Sequence, residues 1–319
     1  APFPENTRSW KSLTDDERGL YARSMAVNAG MLEAMDHHIG RLVQYLEKTN
    51  ALEHTIIVVT SDNGPEYNDP SRDPLFRTYM ATHGYDRELE SLGEKGSLTS
   101  IGTEWALAAS GPFSRFKFHT TEGGTRVPFI IAGPGVPQGN QVNADAFMPD
   151  VAPTLMQFAN IPYDRDEFFG RSLFEVISGD SEYAYGPEDS VGMEVAGNAA
   201  LFRGNWKLIR NHLPWGAGEW QLFDLASDPG ETNDQFDNQP DIAAKMVSEY
   251  EDYAAKVGVA PLPSGYNPAD QLRINTQTVM LQRYGLNLAI IAGVIIIIIC
   301  GSFVLFRRRR RSRQSNSNS

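Results

Sequence analysis

The sequence predicts an α/β layered domain, then a smaller domain of paired strands and a helix, then one membrane-spanning helix. Three observations carry this. An apolar stripe at helical spacing through residues 20–46 runs into the β-branched segment Thr55-Ile56-Ile57-Val58-Val59-Thr60, an αβ step of a layered domain. The segment Ala200-Leu201-Phe202-Arg203-Gly204-Asn205-Trp206-Lys207-Leu208-Ile209 alternates about a Gly-Asn turn, the signature of a hairpin. Leu286 to Phe306 is mostly apolar and uncharged, long enough at about 1.5 Å per residue to span a ~30 Å hydrocarbon core.

In chain order, Thr14-Asp15-Asp16-Glu17 is a capping box with acidic residues in the first helical turn. Leu20, Val27, Met31, Met35, Ile39, Leu42 and Leu46 then form one helix face, and Met25, Met31 and Met35 are expected in the core. His37 and His38 are adjacent, point in different directions and have no partner at ligand spacing, so they read as surface or partly buried histidines. The Thr55–Thr60 run reads as a strand buried on both faces, as in a parallel sheet. Ligands of such sheets bind beyond the carboxyl ends of the strands, which is where Ser61-Asp62-Asn63-Gly64 stands. Asp62 and Asn63 offer hard oxygens suited to calcium or magnesium, and Gly64-Pro65 turns the chain away. Taken alone, these residues are better explained as a strand followed by a polar turn. Residues 65–100 show little periodicity and are expected to be a surface or substrate-shaping loop.

A second block, Arg115-Phe116-Lys117-Phe118-His119-Thr120-Thr121-Glu122-Gly123-Gly124-Thr125-Arg126-Val127-Pro128, changes the balance. Its alternation suggests a strand with both phenylalanines inward and Lys117 and His119 together on the other face. There His119 is a candidate for protonating a leaving group, against the plainer reading of a satisfied structural histidine. Glu122 and Gly123-Gly124 are expected to shape a turn presenting Lys117, and Arg126 to form a structural ion pair. Val127 to Ala132 reads as another buried strand, stopped by Gly133-Pro134-Gly135. Asp150 is expected to cap a helix through Val151–Met156, where Pro153 is tolerated in the first turn, and is given no catalytic role.

Together the two blocks closely resemble the sulfatase family of the alkaline-phosphatase-like superfamily, and Met148–Leu155 is similar to a stretch that follows the main sulfatase sheet. The resemblance covers roughly residues 10–260. It implies that Asp62 and Asn63 bind a divalent metal, usually calcium with magnesium as the alternative, and that Lys117 contacts the sulfate. It implies that residues 1–165 are the carboxyl part of a large α/β/α domain. Residues 166–258 resemble the small C-terminal α+β domain, an antiparallel sheet with a packed helix, to which a strand at Trp220–Leu225 and a helix at Gln239–Val257 belong. Residues 259–285 are then a linker, 286–306 the membrane helix and 307–319 a basic tail.

The family nucleophile is a formylglycine made from Cys or Ser in a Cys/Ser-x-Pro-x-Arg signature, which this chain lacks. Ser110-Gly111-Pro112-Phe113-Ser114-Arg115 imitates it, with the arginine one residue too far on. Nothing before Ser61 looks like the strand whose Asp pair completes the family's metal site. The start at Ala1-Pro2-Phe3-Pro4 looks like the interior of a longer protein. The expectation is the carboxyl half of a sulfuric ester hydrolase, inactive alone, with the formylglycine in a missing amino-terminal part and a sulfated small molecule or polysaccharide as substrate. The alternatives are a phosphodiesterase or phosphonate monoester hydrolase of the same superfamily, or a non-catalytic membrane-anchored sulfatase-like binding protein.

Charge bounds the partners. Arg307 to Arg311 and Arg313 supply six of the 28 basic residues, leaving residues 1–306 with 22 against 40 acidic side chains, net −18. So acidic a body is a poor candidate for nucleic-acid binding. The same arginines follow the apolar stretch directly, whereas its other flank carries only Arg283. The positive-inside rule then sets the tail in the cytoplasm and the catalytic domain outside it, in a periplasmic, extracellular or lumenal space. Cys300 is the single cysteine, which excludes an intramolecular disulfide.

Overall fold

The first helix, α1 (Asp15–Lys48), begins where the sequence sets it. In this computed structural model Thr14 Oγ1 accepts from the Glu17 amide at 3.2 Å and Glu17 Oε2 accepts from the Thr14 amide at 2.9 Å, the full capping box. The structure describes residues 7–299 apart from 70, 72, 264, 268, 269, 272, 288, 291, 292, 294, 295 and 298. These fall into two units, Ala1–Pro261 and Leu262–Ser319.

The amino-terminal half of α1 is covered by residues 92–105. Trp105 Nε1 donates to Tyr21 O at 3.0 Å, Arg23 Nε donates to Leu92 O at 3.1 Å, and Gly93 lies against Val27. The second half is covered less. Met31 and Met35, expected in the core, are 61% and 51% exposed, and Leu42 is exposed beside them. The stripe correctly marks a helix, but its carboxyl-terminal half is only partly covered: Ile39, Val43 and Leu46 are half-buried while Met31, Met35 and Leu42 stay exposed. His37 and His38 are exposed, in keeping with the sequence reading.

β1 (Ile57–Thr60) follows, then α2 (Pro74–Thr82), α3 (Gly102–Ser110), α4 (Glu122–Thr125) and β2 (Phe129–Ala132). The expectation of a parallel, doubly buried strand is corrected here. β1 and β2 pair antiparallel, from Ile57↔Ala132 to Thr60↔Phe129, and β1 is only half-buried. A β-branched run reports extended backbone; strand direction depends on the long connection, which no residue in the run encodes. α2 is a second correction, since the sequence gives residues 65–100 as an irregular loop; α3 lies beyond that stretch and was not foreseen. Each is nine residues, too short for a clear periodic signal, and α2 is started by Asp73, whose Oδ1 accepts from the Phe76 amide at 3.0 Å.

α5 (Val151–Phe158) has Pro153 in its first turn, but Asp150 does not cap it. Its backbone is already helical, and its carboxylate points back to accept from the amides of Phe147 and Arg171 at 2.7 and 2.8 Å and from the Tyr185 hydroxyl. Asp150 is fully buried, which pushes its carboxyl pKa up, and it ties α5 to the chain that leads through α6 (Phe174–Ser178) into the second sheet.

That sheet consists of β3 (Ser190–Val195), β4 (Asn198–Arg203), β5 (Trp206–Arg210) and β6 (Gln221–Asp224), antiparallel in that order. The Gly204-Asn205 hairpin is as predicted, closed by the pair Arg203↔Trp206 with Gly204 at φ 52°. α7 (Pro240–Val257) packs on one face, where Ala243, Met246 and Tyr250 meet Leu201, Leu208 and Leu222. β3 was not foreseen. Its Gly192 is required by packing, because a Cβ there would lie 2.3 Å from the Tyr253 ring.

Of the expected linker 259–285, only the first part is irregular; the described residues from 270 to 287 are helical. Among the described residues no helix is long and apolar enough to cross a membrane. The expected span 286–306 lies in large part, and the tail 307–319 wholly, outside the described residues.

Candidate functional site

β1 delivers the chain to a turn at Ser61, whose Oγ donates to Asn63 O at 3.0 Å. Gly64 then meets the second sequence block directly. Its amide donates to Gly124 O at 2.9 Å, and a Cβ at Gly64 would stand 1.9 Å from Gly123 O. Gly123 is pressed against the carbonyls of Ser114 and Arg115, and Gly124 against those of Phe116 and His119. Only residues without a side chain let these backbones approach so closely.

The next residues complete the join. Pro65 O accepts from the Lys117 amide at 3.2 Å, and Lys117 Nζ pairs with Glu66 Oε2, 51 residues away in sequence, at 2.9 Å. The Asp62–Asn63 turn and the Lys117 loop are thus one feature of the surface, anchored backbone to backbone. Asp62 is exposed, and among the described residues nothing hydrogen-bonds or pairs with its carboxylate; Asn63 is half-buried.

The strand expected through Phe116–His119 is a turn, which is a further correction. Phe118 has a left-handed backbone, φ 74°, and this breaks the alternation. Phe116 and His119 therefore go inward together, rings edge to face at 5.0 Å, while Lys117 stays partly exposed at the tip. His119 is 2% exposed, its Nδ1 donating to Phe116 O at 3.0 Å. Burial, and secondarily the charge of Arg115, lower its pKa to about 4 despite the opposing backbone bonds, so the ring is neutral at pH 7. Tyr67 stacks on Phe116 at 4.6 Å and Trp215 on Phe118 at 5.4 Å, walling the loop with aromatic rings. Arg126 makes its expected ion pair, with Glu122 at 3.2 Å.

The small sheet grips this loop through residues that sequence reasoning missed. Asn198 Nδ2 donates to Phe118 O at 2.7 Å, Asn211 Oδ1 accepts from the Thr120 amide at 3.0 Å, and Thr120 Oγ1 donates to Ala199 O at 3.0 Å. Lys207 is wholly buried; its Nζ hydrogen-bonds Glu122 Oε1 at 2.7 Å and makes a less well-directed ion pair with Glu231 Oε1 at 3.0 Å. Burial raises the Glu231 pKa, an effect that Lys207 opposes. No pattern betrays Lys207, because β5 is buried on both faces and alternation fails there.

An exposed carboxylate with an amide oxygen suits a hard cation, and an adjacent ammonium suits an oxyanion. Among the described residues no three His, Cys, Asp or Glu side chains converge to hold a metal. Asp62 and Asn63 therefore fit part of a calcium shell, which needs about 6–8 oxygens.

Comparison with known proteins gives the family. The family profile described as sulfatase matches residues 1–161. An uncharacterised sulfatase of Schizosaccharomyces pombe is 32% identical over 270 residues, 82% of this chain and 48% of the relative. An arylsulfatase of Klebsiella aerogenes is 32% identical over 50% of this chain and 34% of its own length, and an N-acetylglucosamine-6-O-sulfatase of Bacteroides thetaiotaomicron 27% over 64% and 30%. The chain thus spans less than half the length of these curated relatives. Among solved structures, Ps i-CgsB in complex with k-i-k-neocarrahexaose shares the fold at 24% identity and TM-score 0.51, covering 71% of this chain and 42% of that one.

Proposed function

Because the chain belongs to the sulfatase family, we propose that it forms the carboxyl half of a metal-dependent sulfuric ester hydrolase. The observation that carries this reading is the direct join of the Asp62–Asn63 turn to the Lys117 loop through Gly64, Pro65, Gly123 and Gly124.

In this reading Asp62 and Asn63 would hold a calcium ion, magnesium being the alternative, together with oxygens from outside the chain. When bound, the ion supplies positive charge to neutralise sulfate oxygens. Lys117 releases Glu66 to meet a sulfate oxygen as a compact point charge, which lowers the energy of charge developing at the ester. Its backbone bond to Pro65 keeps it beside the metal turn while the side chain changes partner. His119, buried and neutral, supports Phe116 and the loop; its burial favours a structural part over leaving-group protonation. The formylglycine nucleophile and the rest of the metal shell belong to a preceding segment of the whole protein. The exposed face of α1 at Met31, Met35 and Leu42 is the surface that segment would cover. Sulfated saccharides are the favoured substrate class, in line with the N-acetylglucosamine-6-O-sulfatase relative. The apolar stretch 286–306 and its arginines support a single-pass anchor with the site on the outer side.

The test is an assay of the whole protein on matched aryl sulfate and aryl phosphate. Chelator-sensitive hydrolysis of the sulfate, lowered about 100-fold or more in Lys117→Ala, is expected. Metal-dependent turnover by residues 1–319 alone, or preference for the phosphate, contradicts the reading.

A further inference from the structure

We propose that Lys207, held between Glu122 and Glu231, is a positioning residue that locks the Lys117 loop onto the small C-terminal sheet; this rests on Lys117 being the sulfate contact. The loop runs from Ser114 to Glu122, and Glu231 clamps both of its ends. Glu231 Oε2 accepts from Ser114 Oγ at 2.9 Å and from the Glu122 amide at 2.8 Å. The Ser114 carbonyl in turn accepts from the Gly123 amide and from Thr121 Oγ1, which closes the loop on itself. Lys207 enters from β5 and joins the carboxylates of both Glu122 and Glu231 with its single buried charge. Arg126, half-exposed, pairs with the other oxygen of Glu122, and Asp145 acts on both of them, so Lys207 is the buried cation that sets the charge balance between Glu122 and Glu231.

Balance matters because the site is dry. Two carboxylates side by side cannot both remain ionised there without a cation between them. Without Lys207, one must take up a proton or swing to water, and either change releases an end of the loop. Glu231 itself has a left-handed backbone, φ 52°, a conformation costly for a residue with a side chain and retained where the surroundings impose it. Glu122 lies in the Glu-Gly-Gly turn and Glu231 beyond β6, so the cluster couples catalytic loop and small sheet across 109 residues.

Amide hydrogen exchange on the full 319-residue chain tests this without metal or sulfate. The amides of Lys117, His119, Thr120, Gly123 and Gly124 are all hydrogen-bonded and should exchange slowly. Lys207→Met should speed their exchange about tenfold or more while β4 and α7 stay within about twofold. Glu231→Gln, which keeps the acceptor for Ser114 and Glu122, should give a smaller effect in the same segment. Ser114→Ala supplies the same readout if Lys207→Met does not fold. In parallel, Lys207→Met should weaken inorganic sulfate at Lys117 about tenfold while calcium still perturbs Asp62. Unchanged loop exchange, or a rise shared equally by β4 and α7, overturns the proposal. Absence of sulfate binding at Lys117 in the wild type, with the loop response intact, would instead defeat the functional reading.

Discussion

The two sheets of this chain solve the burial problem differently. β3–β6 with α7 close a core of their own: Leu201, Leu208, Leu222 and Met246 are fully buried, and β4 and β5 are covered on both faces. β1 and β2 are a bare pair, Ile130 is 60% exposed, and half of α1 shows apolar side chains to solvent. The complete core and the incomplete one meet at the candidate site, where the small sheet holds the loop and β1 supplies the turn. Function on this account needs the rigid sheet to position Lys117, and an additional layer over α1 and β1–β2 to complete the metal shell.

Mutations should separate the two regions sharply. Leu208→Ala removes a wholly buried side chain between β5 and α7 and should cost about 2–5 kcal/mol in urea unfolding. A value near zero would mean that the small sheet does not hold a packed core. His119 gives the next effect, through pH. Its pKa is lowered to about 4 in the folded chain against an ordinary 6.5, so the unfolded chain binds its proton first as pH falls. The stability contributed by the neutral ring is complete above about pH 6.5 and lost progressively toward pH 4, on the order of 3 kcal/mol across that window. Comparing wild type with His119→Gln over pH 4–7 isolates this from other groups, and parallel curves would refute the burial assignment. Gly64→Ala forces a Cβ onto the Gly123 carbonyl and should cost about 1–3 kcal/mol, with faster exchange at Gly124 and Lys117. Met35→Ala on the open face of α1 should stay within about 0.5 kcal/mol in this chain. In the whole protein the same substitution should cost distinctly more, because the face would then be covered.

Much of this was legible in the sequence where the signal is local. Thr14–Glu17 fixed a helix start because capping is a contact between residues three apart. Gly204-Asn205 fixed a hairpin because a two-residue turn demands such residues. The joint meaning of Ser61–Gly64 and Lys117–Gly124 came from a family resemblance, since no local rule says that Gly64 and Gly123 must touch. Long-range facts escaped: the antiparallel direction of β1 and β2 and the inward turn of Asp150 toward Arg171 and Tyr185; the reversed backbone at Phe118 escaped because a phenylalanine carries no local signal for a left-handed conformation. Lys207 is another long-range case, as its two carboxylates lie far away in the chain and become neighbours only on folding.

The most direct test of a single shared site is an NMR titration of the isotopically labelled chain, first with calcium and then with sulfate. Calcium should shift the amides of Asp62, Asn63 and Gly64, sulfate should then shift Lys117, and Asp62→Ala should weaken both responses. Calcium that leaves residues 62–64 unmoved, or a Lys117 response to sulfate identical in Asp62→Ala, would contradict the account.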